Sequence, residues 1–184
     1  QFTANTMATA YEALGISPAG SSGVPATAPE RREVARAAGR LVMDLLRKDV
    51  RPRTIITKAA LENAIAAVMA TGGSTNAVLH LLATAREAGV ELALEDFQRI
   101  SARTPLLADM KPWGRFTAVD LHRAGGIRLV LGRLAEAGLL NEGAPTVTGR
   151  TIGEEARAAV ETAGQEVVRP LAAPIAATGG LAIL

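Results

Sequence analysis

Apolar residues recur at helical spacing along most of this chain, in blocks punctuated by glycine and proline. Val34, Ala37, Ala38, Leu41, Val42, Leu45 and Leu46 form the plainest stripe and predict an amphipathic helix. Thr27 is placed to cap it, with Pro29 in the first turn, and Arg51-Pro52-Arg53 closes it. Residues 3–14 have helical composition, with Thr3 or Asn5 as cap and Gly15 as stop. Residues 17–25 carry Pro18, Gly20, Gly23 and Pro25 and read as a loop. Thr57 caps a helix to about residue 71, with Ile65, Val68 and Met69 on its core side. Ser74 opens another to about residue 88, broken by Gly89. Shorter helices are expected at 95–101, 119–123 and 127–137, and from a Thr151 cap to about residue 163. Strand candidates are few and short: 92–94, 106–110, the neighbourhood of Val147, and 179–184. The expected class is α/β and helix-rich, in one unit spanning residues 1–184. Residues 165–184, with Pro170 and Pro174, read as an extended connector.

Composition narrows what such a unit can do. The chain has 184 residues, 48% apolar, with three Phe, one Tyr and one Trp. Its core must therefore be built from Ala, Leu, Val and Ile, and Tyr11 and Trp113 are expected to pack. Lys and Arg number 20 against 18 Asp and Glu, interleaved with no basic block, which disfavours nucleic-acid binding. No apolar run is long enough to span a membrane, and no secretory signal is visible. The absence of cysteine excludes disulfides and thiolate metal ligation and fits a cytoplasmic protein. The first residue, Gln1, falls inside a helical pattern and the last residues look like the start of a strand. Both ends read as cuts, so the chain reads as the interior of a longer protein.

Gly72-Gly73-Ser74-Thr75-Asn76, opening onto an apolar helical face, is the strongest chemical signal. The first turn of a helix leaves N–H groups without partners, and its dipole favours an anion. Glycines let a ligand approach the backbone, and Ser74, Thr75 and Asn76 add hydroxyl and amide partners. An ordinary glycine turn with a helix cap explains the same residues. No Lys follows in the place a phosphate loop requires. His80, between Leu79 and Leu81, reads as a packed histidine, and no zinc motif surrounds it or His122. Glu95, Asp96, Glu154 and Glu155 fall near helix starts, where the dipole accounts for them. Asp109 precedes a Lys-Pro turn, and Asp120 is placed to cap or pair. No pair of acids is spaced for acid–base catalysis.

Five segments, in order, resemble the dihydroxy-acid dehydratases. They are Phe2 to Met7, Gly72 to Val90, residues 105–127 with Asp120-Leu121-His122-Arg123-Ala124-Gly125-Gly126, Thr146-Val147-Thr148-Gly149, and residues 178–184. The resemblance covers essentially the whole chain. It implies the central to C-terminal portion of that family's N-terminal domain, with residues 165–184 leading toward a β-rich C-terminal domain. It implies a hydro-lyase that removes water from 2,3-dihydroxy-3-methyl acids to give 2-keto acids, in valine and isoleucine synthesis. The implied cofactors are an iron–sulfur cluster, 2Fe–2S favoured over 4Fe–4S, and Mg2+, and the implied assembly is a homodimer. By the same resemblance no catalytic residue, cluster ligand or magnesium ligand lies in this sequence. Ser74, Thr75 and Asn76 would belong to the substrate pocket or the layer behind it, and Thr3, Asn5 and Thr6 would lie near the cluster. The 184 residues alone are expected to be inactive and to bind neither cofactor. A sugar-acid dehydratase of the same superfamily and a non-catalytic module holding a small anion at the Ser74 helix start are the alternatives.

Overall fold

The structure, a computed structural model, describes residues 1–182. Its helices are α1 (Thr3–Ala13), α2 (Arg31–Arg47), α3 (Pro52–Ile55), α4 (Lys58–Thr71), α5 (Asn76–Ala88), α6 (Leu94–Arg103), α7 (Ala118–Ala124), α8 (Gly126–Glu136) and α9 (Ile152–Arg157). The helix-rich expectation is met.

Helix α4 is the axis of the fold. Thr57 caps it as expected, its hydroxyl accepting from Ala60 N at 3.2 Å. Every residue from Asn63 to Thr71 is buried, not only the Ile65, Val68 and Met69 side. The cause is its composition: Ala60, Ala64, Ala66, Ala67 and Ala70 let neighbours approach on all sides. Helices α1, α5, α6 and α8 pack around it. They contribute Ala10, Leu81, Phe97, Ile100, Leu131 and Leu134 to one core. The buried polar Asn63 is satisfied, accepting from Asn141 N at 2.7 Å and donating to Asn141 O at 3.2 Å.

Several starts and stops differ from expectation. Helix α1 begins after Phe2 with no side-chain cap, so neither Thr3 nor Asn5 caps it. Helix α2 begins after Glu30, beyond Thr27. It forms, yet no residue of it is buried: Val34, Ala38, Leu41 and Leu45 are half-buried while Val42 and Leu46 lie exposed. Residues 92–94 are not a strand, because Leu94 already opens α6. Helix α9 is shorter than expected, although Thr151 caps it. Thr117 and Asp120 form a reciprocal box at the start of α7. Trp113 does not pack, being 94% exposed, and His80 is exposed as well.

The strand candidates at 106–110 and Val147 did not become strands. Among the described residues the pairings are isolated bridges, Leu106 with Ala176, Ala108 with Val168, Met110 with Phe116 and Pro145 with Thr151. The sheet half of an α/β class is therefore not realised among them. Residues 165–182 are irregular, with a turn at 170–173, and the 167–176 stretch lies along 106–109. Asp109 N donates to Val167 O (2.9 Å), Arg169 N to Leu107 O (2.9 Å) and Leu106 N to Ala176 O (3.0 Å). Val167 and Val168 are buried there. Of the expected strand at 179–184, residues 179–182 form no strand, and Ile183 and Leu184 lie outside the described residues.

Candidate functional site

The turn from α4 into α5 meets the start of α1. Gly72 ends α4 in the left-handed region, φ 61°, which a side chain would strain. A Cβ on Gly73 would sit 2.7 Å from Thr6 Cγ2 and 2.8 Å from Val68 Cγ1. The second glycine thus allows α1 to lie against the end of α4. The buried Thr6 hydroxyl donates to Phe2 O (3.0 Å) and accepts from Ser74 N (2.9 Å). Thr3 Oγ1 lies 3.2 Å from Ser74 Oγ and accepts from Asn76 Nδ2 at 2.9 Å. The Gln1 backbone nitrogen donates to Gly72 O at 2.8 Å.

These contacts join two groups that the sequence places about seventy positions apart: Thr3 and Thr6, with Ser74 and Asn76. Thr75 lies between Ser74 and Asn76, exposed. Asn5 stands apart. It is exposed and faces a second pocket of ≈ 430 Å³ that His122 and Thr117 also line.

The anion-holding capacity of the α5 start is largely spent. Ser74 N is taken by Thr6, and Asn76 N donates to Ser74 Oγ at 3.3 Å. Ala77 N donates to Ser74 O (3.0 Å) and Val78 N to Thr75 O (3.1 Å). A helix start holds an anion through free N–H groups, and these four are engaged internally.

A pocket of ≈ 550 Å³ opens beside this junction. Thr3, Ser74 and Thr75 line it, with Leu106, Pro112, Trp113 and Ile175 among the apolar lining. The Trp113 turn is tightly built. Gly114 N donates to Met110 O (2.8 Å), Lys111 N to Phe116 O (2.8 Å) and Phe116 N to Asp109 O (3.0 Å). Asp109 clamps it from within, accepting from Arg115 N at 3.1 Å and Arg115 Nε at 2.6 Å. The bond from Arg115 holds the Asp109 carboxyl below its ordinary range, against the opposing effect of burial. Asp109 thus shapes the turn, a role that the sequence signalled only as an acid before Lys-Pro.

One further carboxylate, Glu12, escaped sequence reading, and Asp96 was read there only as an acid near a helix start. Glu12 in α1 is 1% exposed and accepts from Gly20 N (2.6 Å), Ser22 N (3.4 Å) and the Ser22 hydroxyl. It pins the 17–25 loop. Burial pushes its carboxyl upward, opposed by those bonds and by Arg128. Asp96 also works against burial, but bonds from Lys58, Ala93 N and Arg99 hold it well below the carboxylate range. Among the described residues no group of three or more His, Cys, Asp or Glu is arranged to hold a metal ion. No helix among them is long and apolar enough to cross a membrane.

The family model for the dihydroxy-acid/6-phosphogluconate dehydratase N-terminal region matches residues 1–155. The chain is 65% identical over 184 residues to a dihydroxy-acid dehydratase of Koribacter versatilis. It is 57% identical over 184 residues to one of Roseiflexus sp. and 52% identical over 185 residues to one of Thermus thermophilus. Each match covers 100% of this chain and 32% or 33% of the relative. The chain thus spans about a third of the length of these curated relatives.

Proposed function

The chain belongs to the dihydroxy-acid/6-phosphogluconate dehydratase family, and on that premise we propose that it forms one wall of the active site of a dihydroxy-acid dehydratase. The observation that carries this reading is the junction of Thr3 and Thr6 with Gly72 to Asn76 beside an open pocket. These are the segments the family resemblance would place near cluster and substrate, and they meet through side-chain hydrogen bonds.

The reaction removes the C2 proton and the C3 hydroxyl of a 2,3-dihydroxy-3-methyl acid as water. The enol left behind tautomerises to the 2-keto acid. In this reading Thr3 and Ser74 offer hydroxyls that donate to or accept from the diol and carboxylate end, with Thr75 alongside. Asn76 fixes the Thr3 hydroxyl, and Thr6 fixes the Ser74 backbone. Preorganised partners of this kind position a substrate without rearranging during reaction. The chain's own residues do not fit as ligands for an iron–sulfur cluster or Mg2+: it has no cysteine and the described acids and histidines do not cluster. We assign both cofactors, with 2Fe–2S favoured, to parts of the enzyme outside these 184 residues, along with the catalytic base. The chain alone is then inactive. An α/β domain completed by those parts, a connector role for residues 165–184, a homodimer and a cytoplasmic location belong to the same reading.

The sugar-acid alternative gains nothing from relatives that all carry the name dihydroxy-acid dehydratase. The small-anion module loses its donors to the internal bonds at the α5 start. The test is a dehydration assay of the full-length protein with 2,3-dihydroxy-3-methylbutanoate and with gluconate. Keto-acid formation from the first supports the reading, and turnover of gluconate alone overturns it.

A further inference from the structure

A tryptophan is large and mostly apolar, and proteins bury most of its surface. Trp113 is 94% exposed, on a turn held by three backbone bonds and the Asp109 clamp. Its position is therefore set by the backbone and not by packing of the indole. It lines the ≈ 550 Å³ pocket together with Leu106 and Ile175 and with Thr3 and Ser74. Gln1 lines this pocket and the ≈ 430 Å³ one, with its side-chain oxygen accepting from Thr9 Oγ1 at 3.3 Å. The pocket lining thus combines hydrogen-bonding groups with hydrocarbon.

We infer that Trp113 is a specificity-determining residue, its indole covering the branched aliphatic end of a short hydroxy or keto acid whose polar head lies toward Thr3 and Ser74. This rests on the reading above and names the residue that selects within it. A polyhydroxylated tail set against indole, Leu106 and Ile175 would lose water from its hydroxyls and gain no partner, a penalty that a branched hydrocarbon escapes.

Trp113 is the one tryptophan of the chain, so the emission of the 184-residue protein reports on this indole alone. The chain is titrated with 3-methyl-2-oxobutanoate and with gluconate, followed in parallel by tryptophan fluorescence and calorimetry. A saturable blue shift with the branched acid, matching the calorimetric isotherm and absent with gluconate, is expected. Trp113→Phe should keep calorimetric affinity, and Trp113→Ala should weaken it about ten-fold, the scale of a lost hydrocarbon contact. Binding heat without an emission change, equal binding of gluconate, unchanged affinity in Trp113→Ala, or no binding by either method each overturns the inference. In the full-length enzyme, the ratio of the KM for gluconate to that for 2,3-dihydroxy-3-methylbutanoate should fall about ten-fold with Trp113→Ala. Dehydration of the branched acid with that ratio unmoved would sink the role of Trp113 and leave the dehydratase reading standing.

Discussion

The buried hydroxyl of Thr6 accepts the backbone N–H of Ser74 at 2.9 Å, across 68 positions of sequence. It holds the start of α1 to the turn between α4 and α5. Thr6→Val keeps the shape but leaves the Ser74 N–H without its partner. Thermal unfolding should show a loss of about 1–3 kcal/mol, the cost of an unsatisfied polar group. A Thr6→Ser protein should recover most of the hydrogen bond.

Gly73 should tolerate no side chain. A Cβ there meets Thr6 Cγ2 at 2.7 Å and Val68 Cγ1 at 2.8 Å, both on packed helices. Gly73→Ala is expected to cost about 1–3 kcal/mol in urea denaturation, as for overpacking elsewhere. Unchanged stability would show that α1 can move away from α4 at little cost.

Gly39 makes the opposite case. It lies inside α2, and a Cβ added to it meets nothing within 4 Å. Gly39→Ala should stabilise the protein by about 0.5–1 kcal/mol through lower backbone entropy in the unfolded chain. Circular dichroism melts of the two proteins suffice to check this.

Acid should weaken the fold through Asp96. Its carboxyl is held below the ordinary value of 3.8 by Lys58, Ala93 N and Arg99, with burial opposing. The unfolded chain therefore takes up this proton first as pH falls. The stability contributed is complete above 3.8 and is lost as pH drops from there toward the lower folded value. Asp96→Asn should flatten this part of a stability profile measured by urea denaturation between pH 2 and 5.

Glu12 carries the reverse sign. Burial raises its folded value above 4.5, so between 4.5 and that value the folded protein retains a proton the unfolded chain has lost. Stability should decline as pH rises through this window, and Glu12→Gln should abolish the decline. Denaturation midpoints from pH 4 upward read it directly, and a Glu12→Gln profile parallel to that of the parent would refute it.

The helices were legible because their signals are local. Thr57 and Thr151 cap as their neighbours foretell, and Gly72 and Gly89 stop α4 and α5 in left-handed conformations. What sequence could not supply was which faces find a neighbour. The α2 stripe has the same periodicity as a core helix, yet Val42 and Leu46 stay exposed. Strand-like runs such as 106–110 pair with irregular backbone at 167–176, so their hydrogen bonds exist without a ladder. At the site, Thr3, Thr6, Ser74 and Asn76 were legible as types and through the family resemblance. Their meeting depends on α1 lying against α4, which no local pattern encodes. Trp113 gave no local sign that it would stand clear of the core.

Gly180 N donates to Met69 O at 3.1 Å, next to where the Gln1 nitrogen reaches Gly72 O at 2.8 Å. One patch of the pocket wall is thus assembled from three stretches of chain that leave the ribosome far apart in time. Residues 1 to 3 and 72 to 75 are already synthesised while their third neighbour is still untranslated. Until it arrives, Met69 O lacks this partner and Leu106 lacks Ala176. A nascent chain can build its helices as they emerge, but this wall closes only after residue 180 has cleared the exit tunnel.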